Sequence, residues 1–126
     1  MPISGSQALS PTERIRRRVE YQEIYNRGAK THGRYCTVFV LANPTGAGRL
    51  GIAATRKLGG AVDRNRAKRL IREVFRRNKI AKGFDVVVIP KRDLLDASLT
   101  VLEADYRAII ERSLGRQSRA RRDPRL

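Results

Sequence analysis

Apolar side chains recur along the chain with two spacings, and these predict three helices and three strands. In residues 18–27, Tyr21, Ile24 and Tyr25 stand at i, i+3 and i+4, which places them on one side of a helix. Gly28 follows at once, and a glycine just after a helix is typical of a left-handed cap. We therefore predict a first short helix that ends at Gly28.

Three runs have the composition of β-strands. Residues 35–42 (YCTVFVLA) are rich in β-branched and aromatic side chains, and residues 49–55 (RLGIAAT) follow after a turn-forming Asn-Pro-Thr-Gly-Ala-Gly cluster. These two runs predict a β-hairpin, although Gly51 weakens its second strand. Residues 84–89 (FDVVVI) are almost continuously apolar, which is typical of a strand buried on both faces.

Two longer segments have helical periodicity. Residues 61–82 carry apolar side chains at i, i+3, i+4, i+7 and i+8, namely Ala67, Leu70, Ile71, Val74 and Phe75. Asp63, near the start, suits the helix dipole and could cap the helix. Residues 99–114 have a second apolar stripe, and Thr100 and Glu103 have the spacing of a capping box.

The elements run in the order α-β-β-(β)-α-β-α, with one optional strand, and predict a small α+β sandwich over residues 14–115. Residues 1–13 are aperiodic, so we expect a flexible N-terminus. Residues 116–126 carry five arginines against one aspartate, so we expect a basic tail that is disordered when free.

The charge of the chain limits its partners. Lys and Arg number 28 against 12 acids, a formal charge of +16, while 40% of the residues are hydrophobic. A core covered by that much like charge repels itself unless a polyanion neutralises it. Nucleic acid is therefore the favoured partner, and an anionic membrane is the weaker alternative.

The cysteine content and the N-terminus favour a reducing compartment such as the cytoplasm. Cys36 is the single cysteine, which excludes an intramolecular disulfide, and we expect it to be buried in a strand. No apolar run approaches the roughly 20 residues of a membrane span. The N-terminus lacks the charged start and apolar core of a secretory signal. We expect no membrane partner.

Basic side chains concentrate around the predicted helix 61–82. Between Arg56 and Lys82 there are eleven basic residues and two acids. At about 100° per residue, the side opposite the apolar stripe carries Asn65, Arg69, Arg72 and Arg76, flanked by Arg64, Lys68, Arg66 and Arg77. Arginine forks donate paired hydrogen bonds to phosphate. We favour a nucleic-acid surface over a solvated face because acids that could neutralise it are nearly absent. RNA is favoured over DNA because no helix-turn-helix, zinc finger or heptad pattern is present.

Residues suited to catalysis are few. His32 is the single histidine and is expected in an exposed loop, so a second acid–base group is missing. The aspartates do not form a compact set for two metal ions. We predict binding without a catalytic centre and assign no metal site. Three aromatic residues either stack on unpaired bases or belong to the core: Tyr21, Tyr25 and Phe39.

One segment is similar to a known family. Residues 51–75 contain Arg-Asn-Arg at 64–66, followed by Lys-Arg-Leu-Ile-Arg at 68–72. In this context, after a Lys-x-Gly-x-Ala-Val turn, the chain resembles the protein component of bacterial ribonuclease P. The resemblance spans roughly residues 14–114 and leaves the arginine-rich tail outside the family pattern.

The resemblance implies a role in removing the 5′ leader of precursor tRNA, with catalysis and the Mg²⁺ ions held mainly by an RNA subunit. It implies one protein per catalytic RNA. Residues that would bind this RNA are Arg64, Asn65, Arg66, Lys68, Arg69 and Arg72. Residues that would hold the leader are Tyr21, Tyr25, Thr37, Phe39, Arg56 and Lys57. The two tyrosines stand where many relatives carry phenylalanine.

The implied fold is an α-β-β-β-α-β-α sandwich like domain 2 of ribosomal protein S5, with a left-handed β-α-β crossover. Such a crossover breaks the right-handed rule, so pattern reasoning alone would give the opposite hand.

Three other functions fit part of the sequence. A structural RNA-binding protein of ribosomal type would have the same charge but would not need aromatic side chains in a cleft. A DNA-compacting protein would usually have a dimer seam, and the sequence has none. An autonomous nuclease would need more histidine or clustered aspartate than the chain contains.

Overall fold

The structure, a computed structural model, describes residues 9–122, with side chains described through Arg116. Short 3-10 turns occur at Pro11–Glu13, Arg56–Leu58 and Arg92–Asp96. The helices are α1 (Arg18–Arg27), α2 (Ala61–Arg77) and α3 (Leu99–Arg122). The strands are β1 (Ala29–His32), β2 (Cys36–Ala42), β3 (Arg49–Ile52) and β4 (Phe84–Pro90). The predicted α+β class and element order are confirmed.

One four-stranded sheet has the strand order β1-β2-β4-β3. β2 pairs antiparallel with β1 and β4, while β3 pairs parallel with β4. The predicted hairpin between residues 35–42 and 49–55 is therefore wrong, because β4 lies between its two strands. The apolar β4 requires cover on both sides, and in this central position Val86, Val87 and Val88 are at most 1% exposed.

Side chains that alternate along the strands divide the core into two layers. Val38, Val40, Val86 and Val88 share a cluster with the buried residues of α2 and α3, while Leu41 and Val87 pack with Ile24 of α1. The sheet is thus covered by α1 on one face and by α2 and α3 on the other. α2 connects the parallel strands β3 and β4, as the resemblance implied; the left hand of this crossover stays a prediction.

Glycine 28 has a different role from the predicted one. α1 has the predicted bounds, but Gly28 has φ −78° and ψ 157°, which is extended and not left-handed. A Cβ atom there would lie 2.6 Å from the Ile24 carbonyl oxygen and 3.0 Å from that of Val40. Gly28 is needed because the end of α1 lies directly against β2.

Two predicted helix ends and one predicted helix cap are wrong, whereas the predicted start of α3 at Leu99 is confirmed. α2 ends at Arg77 and not at residue 82, because the buried Asn78 donates through Nδ2 to the Val74 carbonyl, 2.8 Å away. α3 starts after Ser98, whose Oγ accepts from the Val101 N–H (3.2 Å), so Ser98 and not Thr100 caps it. The far end of α3 continues beyond residue 114 to Arg122, into the segment predicted as a disordered tail.

The N-terminal segment packs against the domain from Leu9 onward, within the residues 1–13 for which the sequence predicted a flexible N-terminus. Leu9 is 4% exposed and belongs to the larger core cluster. The Ile15 N–H donates to the Leu50 carbonyl (3.0 Å), so the segment lies along β3. Glu13 pairs with Lys79, which holds the pKa of Glu13 below its ordinary value. The prediction for residues 1–8 and 123–126 falls outside the described residues.

Candidate nucleic-acid interface

The basic side of α2 faces solvent, as predicted. Asn65, Arg66 and Arg69 are exposed, whereas the apolar stripe on the other side is buried (Ala67, Ile71, Val74 and Phe75). Within the part of the chain whose side chains are described, no carboxylate forms an ion pair with Arg64, Arg66, Lys68, Arg69 or Arg72. The face therefore presents five cations that no acid neutralises.

Arg76, which the helical wheel placed on this face, and Arg77, which it placed beside it, behave differently. Arg76 pairs with Glu73 at 2.7 Å, and Arg77 pairs with Glu103 of α3 at 3.1 Å. The first ion pair lies within α2, and the second joins α2 to α3. The unpaired part of the basic face thus ends one turn before the end of the helix.

Three aromatic side chains meet between α1 and the sheet. The rings of Tyr25 and Phe39 lie edge to face with centroids 4.9 Å apart, and the rings of Tyr21 and Tyr25 are 6.3 Å apart. Tyr25 is 37% exposed, and the other two are half-buried. The Lys30 ammonium lies 5.5 Å from the Phe39 ring centroid. We call this group the aromatic cleft: it is packed on one side and open to solvent on the other.

The other predicted leader-binding residues lie at different depths. Thr37 is two residues before Phe39 on the same face of β2, but it is 7% exposed and its hydroxyl is hydrogen bonded to His32 Nδ1 (3.2 Å). Arg56 and Lys57 are exposed in the turn after β3. Because β4 separates β3 from β2, these two side chains do not lie on the strand that carries Thr37 and Phe39.

A groove joins the two predicted sites. Tyr21 of α1, Gly51 of β3, and Lys68 and Arg72 of α2 line it. A Cβ atom on Gly51 would lie 2.7 Å from the Tyr21 hydroxyl oxygen, so only glycine lets this ring lie against β3. The basic face of α2 and the aromatic cleft therefore form one continuous surface around the edge of the sheet.

Sequence reasoning missed Arg14 and Arg16, which line the same groove. The available signal was the basic run RIRRR at residues 14–18, which was assigned to no site because its packing on β3 is a long-range contact. Lys30 was also missed, because β1 (AKTH) is too short and polar to be recognised as a strand.

Groups for catalysis or metal binding are sparse in the described part of the chain. His32 is exposed, but it lies in β1 and not in the predicted loop. Cys36 is buried in β2 as predicted, and burial raises the pKa of its thiol to about 12, so the thiolate is unavailable at neutral pH. Among residues 9–116, no three His, Cys, Asp or Glu side chains converge as metal ligands. The arrangement is suited to binding a polyanion.

None of the helices in the described range combines the length and the apolar character needed to cross a membrane. Comparison with known proteins gives the same family as the motif. The sequence profile of the family described as Ribonuclease P matches residues 9–114.

Individual relatives agree with this match. The chain is 42% identical over 91 residues to the ribonuclease P protein component of Thermotoga maritima, covering 71% of this chain and 78% of that protein. The solved ribonuclease P protein from the same organism superposes with a TM-score of 0.72 at 37% identity, over 79% of this chain and 96% of that one. The Staphylococcus aureus ribonuclease P protein gives 0.70 at 31% identity, over 79% and 93%. With this fold, this basic helix and these relatives, the chain belongs to the family of bacterial ribonuclease P protein components.

Proposed function

We propose that this chain binds the catalytic RNA of ribonuclease P through the basic face of α2 and holds the 5′ leader of precursor tRNA in the aromatic cleft. Membership of the family implies an RNA partner and a part in tRNA processing. The observation that carries the finer assignment is the groove that joins Tyr21 to Lys68 and Arg72. One protein surface can then contact two RNAs at once.

The chemistry of the two sites supports this division. The unpaired arginines of α2 donate paired hydrogen bonds to phosphate without first breaking an ion pair. Exposed aromatic rings stack on any unpaired base, so Tyr25 and its neighbours suit a single-stranded leader of variable sequence. Arg14, Arg16 and Lys30 add positive charge along the same path. Thr37 would form the floor of the cleft, and Arg56 and Lys57 its margin beyond β3.

Catalysis and the Mg²⁺ ions belong, in this proposal, to the RNA subunit, with one protein per RNA in the bacterial cytoplasm. A metal-free RNA cleavage site usually needs an acid and a base that touch the same phosphate. His32, the single histidine, is hydrogen bonded to Thr37 and not to another titratable group in the described residues. A structural RNA-binding protein of ribosomal type remains the alternative function.

A cleavage assay at low Mg²⁺ tests the proposal. The protein with the catalytic RNA should remove the leader of precursor tRNA faster than the RNA alone, and the protein alone should leave the substrate intact. If the protein stimulates cleavage of an unrelated structured RNA as much as cleavage of precursor tRNA, the result would favour the ribosomal-type alternative. Cleavage by the protein alone would contradict the assignment of catalysis to RNA.

Tyr25→Ala should reduce the preference of the holoenzyme for leader-bearing over mature tRNA. A stacked base contributes about 1–3 kcal/mol by alanine substitution, so we expect about a tenfold loss in that preference. The measurement is the ratio of the two dissociation constants. Tyr25→Phe, which keeps the ring, and Val19→Ala, an exposed position on α1 outside the cleft, should leave the ratio unchanged. If the ratio of the two dissociation constants is unchanged in Tyr25→Ala, Tyr25 is a packing residue only.

A further inference from the structure

Strand β1 contributes side chains to the face of the sheet on which the aromatic cleft lies. Lys30 is directly opposite Phe39 in the register, and His32 is directly opposite Thr37. Residues opposite each other in an antiparallel pair point to the same face. The Lys30 ammonium lies over the Phe39 ring, so this face is that of the cleft. His32 is two positions further along β1, on the same face and about 7 Å from Lys30 along the strand.

The row of side chains that contains His32 prolongs the floor of the cleft. Thr37 of β2 lies between His32 of β1 and Ile89 of β4 in this row. In the neighbouring row, Ile24 of α1 packs on Val87 and covers it. His32 is exposed and Ile89 is half-buried. A single strand of RNA that leaves the aromatic rings toward the start of β2 would therefore pass over the His32 row.

The polar atom that this row offers to such a strand belongs to His32. Thr37 is 7% exposed, and its Oγ1 is hydrogen bonded to His32 Nδ1, 3.2 Å away. Within the part of the chain whose side chains are described, the other ring nitrogen, Nε2, has no hydrogen-bond partner, and no carboxylate pairs with the ring. The threonine hydroxyl is thus occupied, and Nε2 is the free end of the pair.

The bond to Thr37 also determines what Nε2 can do. In a neutral imidazole, the hydrogen bond at one ring nitrogen decides which nitrogen carries the proton. A threonine hydroxyl that donates to Nδ1 leaves the proton on Nε2, and an imidazolium carries a proton on both nitrogens. In both forms Nε2–H is a donor, and in the second the ring also has a positive charge. Such a donor suits a phosphate oxygen.

We propose that His32 Nε2 donates a hydrogen bond to a phosphate oxygen of the leader, and that Thr37 is a positioning residue that orients the imidazole. The inference rests on the proposed function, since it adds a contact on the path of the same single strand. A phosphate contact suits a leader of variable sequence because it carries no sequence information. Thr37, predicted to hold the leader directly, acts in this proposal through His32.

The test is a double-mutant cycle in the holoenzyme, measured as the preference for leader-bearing over mature tRNA. His32→Ala should lower this preference about tenfold, as expected for the loss of one hydrogen bond to a charged group. Thr37→Val removes the hydroxyl at nearly constant volume and should give a smaller loss, because the ring is no longer oriented. In the His32→Ala background, Thr37→Val should cause no further loss. Thr37→Ser, which keeps the hydroxyl, should bind as the wild type does.

Two comparisons make the outcome specific. The loss in His32→Ala should be equal for two leaders of the same length and different sequence, and affinity for the catalytic RNA alone should not change. A loss that depends on leader sequence, a weaker affinity for the catalytic RNA, or a further loss from Thr37→Val without His32 would overturn the proposal. If the wild-type protein shows no preference for leader-bearing tRNA, the proposed function itself fails; if it does and His32→Ala keeps that preference, only the role of His32 fails.

Discussion

Replacing Arg66 and Arg69 together by alanine is expected to weaken binding to the catalytic RNA about a hundredfold. Both side chains are exposed and make no ion pair within the described residues. A hydrogen bond to a charged group contributes about 1.5–3 kcal/mol, so two such losses amount to at least about 3 kcal/mol. The salt slope of the affinity should also fall by about 2.

The same helix offers a matched control for this variant. Arg76→Ala/Arg77→Ala removes equal charge, but these arginines are already paired with Glu73 and Glu103. We expect a much smaller effect on RNA affinity from this control. The free energy of unfolding of the Arg66/Arg69 variant should stay within about 0.5 kcal/mol of wild type, as for other surface changes. Equal losses of RNA affinity in both variants would show that only net charge matters.

The second large effect concerns Arg49, which holds α1 on the sheet. Its Nε and Nη2 donate to the two carboxylate oxygens of Asp85 at 2.7 and 2.8 Å, and its Nη1 donates to Glu20 of α1 at 3.0 Å. Asp85 is only 6% exposed, in the central strand β4. Burial alone would raise the pKa of Glu20, but the bonds from Arg49 and the Arg17 N–H hold it below its ordinary value.

Arg49→Ala should lower the free energy of unfolding by about 3 kcal/mol, because it leaves a buried carboxylate without its cation. The free energy of unfolding of a whole domain is typically about 5–15 kcal/mol, so this loss is a large part of it. Chemical denaturation measures the change. Arg49→Ala/Asp85→Ala should recover part of the loss, since the orphaned charge is gone. If the stability loss of the double variant equals the sum of the losses in Arg49→Ala and Asp85→Ala, the ion pair is not the cause of the loss.

The arrangement of charge in this protein separates two tasks. Arg49 and Arg77, which hold helices in place, have acidic partners. Cations on the basic face of α2 have none among the described side chains, and they surround the groove that leads to the aromatic cleft. An RNA can therefore bind the cations of the α2 face without breaking the ion pairs of Arg49 and Arg77.

Local patterns in the sequence were sufficient for the elements that depend on near neighbours. The bounds of α1 and the buried stripe and basic face of α2 follow from helical spacing over a few turns. The burial of β4 follows from its continuous apolar run. The basic face was likewise predicted from residues 64–72, because one helix carries all of its side chains.

Strand pairing and the shape of the site needed the tertiary structure. Short loops favour pairing of consecutive strands, yet β4 separates β2 from β3 because its apolar side chains need neighbours on both sides. Residues 9–13 were predicted to be flexible because the contacts of this segment, such as the bond from Ile15 just after it to Leu50, join positions far apart in the chain. The end of α2 at Asn78 depends on side-chain bonds, including one from Arg107 of α3.

The sequence by itself determined the class of the fold, the family motif and the cationic face, since each is encoded in contiguous residues. Only the tertiary structure shows that Arg14 and Arg16 lie beside Lys68 and that the Tyr21 ring packs on Gly51. It also shows the hydrogen bond from Arg116 to the Lys30 carbonyl of β1. These contacts join segments far apart in the chain. Their formation depends on how helices and strands pack, and the local spacing of residues does not predict that packing.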